Sequence, residues 1–432
     1  MKIDFAKDFI NFTYDSGSTY HAVRLSTKIL EQNGFKRLNH KKHWNIEAGK
    51  KYFVKRTNST FIAFTVAKNI DNSTRFRIVG THTDSPCFKI KPMPEHTSSG
   101  FLRLNTEVYG SPLISTWFDR PLSVAGRIIV KSEKTFSPRT INIKINEPLM
   151  TIPNLAIHQN RGVNENGIKY DKQNDVLPVI TLINDTLEKD DYLLNIITDS
   201  YGIEKGSVLD FDLYLYNYEK GTLLGANKEL ISAPRIDNLA SVYAGINALM
   251  ESGTHNNNIN VLAGFDNEEV GSSSKQGANS NYLTNMLERI FYSLNLTREQ
   301  FLEATYKSFL ISADGAHATH PAHPEKSDPI VQVRINQGVV LKTSAAQKYT
   351  SDGYSMSVIK QLAKDNLKLQ YFANNSKYRG GSTIGPLSST HFDADSVDLG
   401  LPMLAMHSIR ELCGVDDLYD LKELLRLFWI AD

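Results

Sequence analysis

Four short apolar runs in this chain each stop on an acid or an imidazole, a pattern that suits one sheet whose strand ends share an edge. Arg75–Gly80 leads into Thr81-His82-Thr83-Asp84, and the alternating run Ile259–Phe265 into Asp266-Asn267-Glu268-Glu269. Phe309–Ala313 delivers Asp314, then His317 and His320, and Leu401–Met406 delivers His407. Leu239, Val242, Tyr243, Ile246 and Leu249 recur at helical spacing, and Asp237 stands just before them. In open α/β sheets ligands bind beyond the carboxyl ends of the strands, so these segments are expected to aim acids and imidazoles at one edge.

The texture changes along the chain. A helix is expected from about Ser18 to Asn33 with Gly34 as C-cap, followed by strands at Lys51–Lys55, Thr60–Val66 and Arg75–Gly80. From about Leu102 to Leu224 the runs become short, β-branched and aromatic (Val108-Tyr109, Arg127–Val130, Ile141–Ile145, Phe211–Tyr216), with a long polar loop at Asn160–Asn174. After Leu224 the α and β alternation returns. The reading is an α/β fold in which residues 1–90 and 226–432 form one domain, split by a smaller β-rich insert at 91–225.

Composition excludes several classes. Forty-eight Lys and Arg face 47 Asp and Glu, so no overall charge draws the molecule to nucleic acid or an anionic membrane. No apolar run nears the ~18 residues of a membrane span. The opening MKIDFAKDFINF is interrupted by charge and has no signal-peptide core. The two cysteines, Cys87 and Cys413, make neither a disulfide framework nor a four-thiolate zinc site, so a reducing, cytoplasmic setting is expected. No His-Glu-x-x-His, Gly-x-Ser-x-Gly, Walker loop or Cys-x-x-Cys is present.

Imidazoles with several carboxylates suit zinc, manganese or cobalt better than calcium or magnesium. A two-metal site needs a bridging carboxylate, terminal His and carboxylate ligands, and a free acid to handle the proton of water. The Glu268-Glu269 pair offers a base and a ligand, and Asp84 is placed to accept the second ring proton of His82. Taken singly, each piece has an ordinary reading. Asp237 suits an N-cap, Glu-Glu a solvated turn, Asp314-x-x-His317 a capped loop, and His407 a core histidine.

Read in order, the strings THTDSPCFKIKP, YGSPLISTWFDRPLSVAGRI, IPNLAIHQNR, ELISAPRIDNL, FDNEEVGS, DGAHATHP, GGSTIGP and GLPMLAMHSIRE, with YHAV near Tyr20, resemble the aspartyl aminopeptidase family, the relatives of vacuolar aminopeptidase I. The resemblance implies a zinc-exopeptidase-like α/β/α metal domain interrupted by a smaller dimerisation and lid domain. It implies two zinc ions per chain, with cobalt or manganese as substitutes. His82 and Asp314 would hold one metal, Glu269 and His407 the other, and Asp237 would bridge them. Glu268 would be general base and then general acid for the attacking water, and Asp84 would orient His82. His158 of IPNLAIHQNR would reach a neighbouring subunit's active site, in dimers built into a tetrahedral dodecamer.

Two departures from the family pattern are visible. Gly315 stands where a hydrophobic residue usually follows the Asp, and Ser16-Gly17-Ser18 replaces Ser-Pro-Ser. Neither is expected to touch a ligand. His317, Lys342 and Arg379 are candidate readers of the substrate side chain, although Lys342 also suits an exposed strand end. The expected activity is removal of N-terminal residues from short peptides, with acidic or neutral first residues as alternatives. The rivals are a metal-dependent deacylase of small amides and a catalytically silent peptide-binding assembly.

Overall fold

The computed structural model describes residues 1–364 and 366–432. Its largest element is a nine-stranded sheet in the order Lys36–Arg37, Lys51–Arg56, Thr60–Thr65, Asn258–Phe265, Arg75–His82, Phe309–Ala313, Asp395–Gly400, Val339–Thr343, Leu369–Ala373. The four strands from Asn258–Phe265 to Asp395–Gly400 in that order are mutually parallel. Their carboxyl ends therefore point the same way. Strands buried on both faces read as near-continuous apolar runs, and alternate side chains serve opposite cores. Val79, Leu262, Ile311 and Val397 pack with the helices Lys2–Asp15, Thr19–Gln32, Ile236–Ser252, Gly353–Ala363 and Val415–Ile430. Phe76, Ile78, Val261 and Leu310 face the other way, onto Tyr282–Ser293, Arg298–Tyr306 and Ile384–His391. The result is an α/β/α sandwich.

A second, six-stranded antiparallel sheet runs in the order Arg139–Lys144, Leu122–Val130, Val208–Asn217, Cys87–Ser98, Phe101–Tyr109, Val179–Leu182. It has its own core, including Phe88, Trp117, Val124 and Leu213. The Cys87–Ser98 and Phe101–Tyr109 strands turn through Ser99 and Gly100, both at positive φ, as a tight hairpin whose twist matches the strands requires. Membership of this sheet begins at Cys87 and ends at Asn217. Thr222–Leu224 already belongs to a third sheet with Leu230–Ala233, Glu411–Gly414, Pro402–Leu404 and Ala316–His317.

Two segments differ from expectation. The charge-interrupted opening is a helix, Lys2–Asp15, because Asp4, Lys7 and Asp8 share its exposed side while Ala6, Phe9, Ile10, Phe12 and Thr13 are buried. The run Leu401–Met406 is not a strand of the large sheet. That place goes to Asp395–Gly400, where the buried Asp398 masks the apolar pattern. Its carboxylate accepts the Thr350 N–H at 2.6 Å and the Thr383 hydroxyl. Pro402–Leu404 pairs instead with Glu411–Gly414 in the small sheet.

Candidate metal centre

His82 ends the strand at the middle of the parallel block, and its neighbour Phe309–Ala313 runs directly into Asp314. Asp237 comes from the opposite direction, ahead of the regular helix that starts near Leu239, with non-helical φ and ψ of its own. Glu268 and Glu269 form a one-turn 3-10 segment entered through Asn267 at φ 64°. His407 lies in the bend after Pro402–Leu404, at φ 67°. The five expected ligands thus meet, two from strand ends of the large sheet, one from a helix entry and two from bends.

The contacts divide into two sets around Asp237. His82 Nε2 is 3.2 Å from Asp237 Oδ1 and 3.3 Å from Asp314 Oδ1. His407 Nε2 is 3.5 Å from Asp237 Oδ2 and 3.3 Å from Glu269 Oε2. Zinc bonds of about 2.0–2.2 Å in a tetrahedron place neighbouring ligand atoms about 3.3–3.5 Å apart, which is the spacing seen. Among the described residues, Asp237 Oδ1 and Glu269 Oε1 are also buried with no hydrogen-bond partner, a costly state for a carboxylate unless a cation satisfies it. The donor set fits a divalent metal, with His82, Asp237 and Glu269 offering ligand atoms close to one another.

Electrostatics agree. Burial pulls the His82 imidazole down, but Asp237, Asp314 and Asp84 outweigh it and hold it well above its ordinary value. Burial and Asp237 push the Glu269 carboxyl well up. Burial likewise pushes Glu268 up to about 8, opposed by His82 and reinforced by Asp314, Asp84 and Asp237. So many acids in one dry pocket attract positive charge.

The surrounding residues fix tautomers and aim. His82 Nδ1 donates to the Asp84 carbonyl at 3.1 Å, with the Asp84 carboxylate 3.5 Å away, so Nε2 is left for a metal. The Asp84 carboxylate does more: Oδ1 accepts the Glu268 N–H and Oδ2 the Glu269 N–H, both at 3.2 Å. Glu411 went unassigned in the sequence. Its Oε2 accepts the Asp237 N–H at 2.9 Å and its Oε1 the His407 N–H at 2.7 Å, so one buried carboxylate holds the backbone of two ligands. Its position four residues after His407 was the available signal.

Of the side-chain readers, Lys342 is not an exposed strand end. It is 2% exposed, within Val339–Thr343, with Nζ 3.9 Å from Asp314 Oδ2 and 5.4 Å from the Tyr349 ring centre. Lys342 and His317 line the same cavity of about 360 Å³ as His82, Glu268 and Glu269. Arg379 is exposed and stands outside that wall, two residues before Gly381, which belongs to it. His158 lies on the exposed 3-10 turn Ile157–Gln159. Gly315, expected to be remote from the ligands, is not: its N–H donates to Asp314 Oδ1 at 2.7 Å. A Cβ there would meet Met403 Sδ at 2.7 Å and Met406 Cε at 3.0 Å, so two methionines take up the space a larger residue would need.

A three-layer α/β sandwich with two imidazoles and three carboxylates gathered at one sheet edge defines a metal-dependent hydrolase. Residues 12–429 match the family Aminopeptidase I zinc metalloprotease (M18). The chain is 51% identical over 420 residues to the probable M18 family aminopeptidase 2 of Clostridium novyi, covering 97% of this chain and 96% of that one. It is 36% identical over 457 residues to the probable aspartyl aminopeptidase of Ricinus communis, covering 96% and 93%. Among solved structures, the Ape4 and Nbr1 complex matches with a TM-score of 0.93 at 34% identity, over 99% of this chain and 86% of that one. The S. cerevisiae mApe1 dodecamer matches with a TM-score of 0.84 at 27% identity, over 98% and 96%. The protein belongs to the M18 family of aminopeptidases, metal-dependent hydrolases acting on peptides.

Proposed function

We propose that this chain is a two-zinc aminopeptidase that prefers acidic N-terminal residues. The observation that carries the two-metal part is the Asp237 carboxylate, whose two oxygens face different imidazoles, each with its own further carboxylate. When bound, the metals supply Lewis acidity for the peptide carbonyl and lower the pKa of water. His82 and Asp314 would hold one, Glu269 and His407 the other, and Asp237 would serve both. Glu268, free of ligand duty, takes the proton of the attacking water and returns it to the leaving amine. Carboxylates around the cavity receive the substrate's free amino group, which favours attack at the first peptide bond.

Lys342 supports the acidic preference. A substrate carboxylate entering the cavity loses water, which is costly unless a cation receives it, and Lys342 Nζ is a buried cation on that wall. Burial alone would lower its pKa, but Asp314, with Tyr349, Asp398 and Asp237, outweighs that and holds it above its ordinary value. N-terminal Glu or Asp substrates are expected to be cleaved faster than Leu substrates. Lys342→Met should shift the Glu-to-Leu ratio of kcat/KM about ten- to a hundredfold toward Leu, the scale of a charge-assisted contact. A panel of aminoacyl-nitroanilides measures this. A wild-type preference for Leu that Lys342→Met leaves unchanged would place the enzyme with neutral-preferring aminopeptidases.

The reading extends to assembly. The six-stranded unit exposes the apolar side chains Phe101, Leu155, Ile157 and Leu182, the first and last of which line one groove, and mApe1 of S. cerevisiae forms a dodecamer. We take this unit as the dimerisation and lid domain of a cytoplasmic, dimer-based tetrahedral dodecamer, with His158 serving a neighbouring subunit. Mixing His158→Ala with Glu268→Gln should then regain activity once subunits exchange. Exchange without recovery would rule out action in trans.

A further inference from the structure

The string YGSPLIST, which no expected role accounts for, leaves the six-stranded sheet at Tyr109 and passes along one side of the metal centre. Its contacts there are specific. Tyr109 Oη donates to Asp84 Oδ2 at 2.7 Å and accepts from Asn267 Nδ2 at 2.9 Å. The other end of that amide, Asn267 Oδ1, is held by Ser274 Oγ and Gln276 Nε2 at 2.8 and 3.0 Å, which pins the left-handed residue before Glu268. Gly110, at φ 71°, lies so close to Glu269 that a Cβ would stand 3.1 Å from the Glu269 Cβ. The Ser111 carbonyl accepts from His407 Nδ1 at 3.0 Å, which leaves Nε2 as the ligand atom. The Leu113 N–H donates to the His407 carbonyl at 2.9 Å, and Thr116 Oγ1 accepts the Ile409 N–H at 3.0 Å.

The other half of the centre is built differently. His82 sits inside the large sheet between Asn258–Phe265 and Phe309–Ala313, and the Asp314 N–H is bonded to the Leu399 carbonyl of the same sheet at 3.0 Å. The two metal positions therefore have unequal support. His82 and Asp314 are set by strand ends, and His82 Nδ1 is held by the Asp84 backbone carbonyl rather than by the carboxylate oxygen that Tyr109 touches, whereas Glu269 and His407 lie on bends whose aim depends on Glu411, on Asp84 and on a segment of the other sheet.

We propose that Tyr109–Thr116 is a positioning strap for the Glu268–Glu269 turn and His407, so that the metal position held by Glu269 and His407 is conditional on the inserted sheet and the His82 and Asp314 position is not. This rests on the two-metal reading above. Loss of outer partners of metal ligands typically costs 10–100-fold in affinity. In Tyr109→Phe the ring keeps its edge contact with Tyr214, at 5.8 Å between centres, and only the hydroxyl is lost.

The test is a zinc titration of metal-depleted, full-length enzyme against a chromophoric chelator, with elemental analysis of the metal retained after dialysis. Wild type should bind two zinc ions. Tyr109→Phe should weaken one position about tenfold or more and leave the other within twofold. Thr116→Val, which removes the acceptor for Ile409, should weaken the same position less, and it decides the matter if Tyr109→Phe fails to fold. Two positions unchanged in the variants, or both weakened equally, overturn the strap while the two-metal reading stands. A wild type that holds a single zinc ion overturns that reading, and the strap with it.

Discussion

Glu268→Gln is expected to keep two metals per chain and lose at least ~10²-fold in turnover, the usual scale for a lost acid–base group. The amide preserves shape, and the backbone N–H of residue 268 stays bonded to Asp84, so the turn that carries Glu269 is retained. What disappears is the carboxylate proposed to move a proton from water to the leaving amine. Glu269→Gln is expected to behave differently. It removes charge from a carboxylate 3.3 Å from His407 Nε2 and should cost one metal as well as activity. Elemental analysis beside single-turnover rates separates the two, and the reverse metal contents would transpose base and ligand. The pH profile gives an independent check. Glu268 must be ionised to act as base, and burial with its acidic neighbours holds it near about 8. Cations bound by Asp237, Glu269 and Asp314 would offset that repulsion and favour the ionised form. The acid limb of kcat/KM should therefore lie below about 8, with activity lost as pH falls through it, and Glu268→Gln should lack that limb.

Chelation is expected to abolish hydrolysis altogether, and zinc, cobalt or manganese to restore it. The chain's own groups explain why nothing substitutes. Without a cation the carbonyl oxygen has no strong electrophile among the ligands, which are carboxylates and imidazoles. Stability should follow the metal as well. Asp237 Oδ1 and Glu269 Oε1 are buried without hydrogen bonds, so ion binding relieves a standing cost. A ligand at a thousand times its Kd stabilises the folded state by about 4 kcal/mol, so the Tm of depleted enzyme should rise on titration with zinc. Thermal scans with metal analysis measure both effects. Full activity in protein shown to be metal-free would end the metallopeptidase reading for this chain.

Much of the scaffold was legible because its causes are local. Arg75–His82, Asn258–Phe265 and Phe309–Ala313 are apolar runs buried on both faces, and the site begins where each run stops. That is why His82, Glu268, Glu269 and Asp314 could be singled out as candidates from order alone, while their separate roles came from the family resemblance. Asp395–Gly400 was hidden because its buried Asp398 is satisfied by Thr350 and Thr383, partners remote in the chain. The opening helix was hidden for another reason: its charges occupy one side, which only a helical projection separates from the apolar face.

By itself the sequence determined the α/β alternation, the β-rich interruption and the inventory of acids and imidazoles, because periodicity and residue chemistry act over a few neighbours. Only the tertiary structure decided how that inventory is shared. It placed the Asp237 oxygens toward different imidazoles and set Glu411 beneath two ligand backbones. It buried Lys342 beside Asp314 and left Arg379 outside the cavity wall. It also ran Tyr109 from one sheet onto Asp84 and Asn267, beside the Glu268–Glu269 turn that follows a strand of another. These are contacts between segments far apart in the chain. They depend on which strands become neighbours and on the path of each bend, and no local pattern records either.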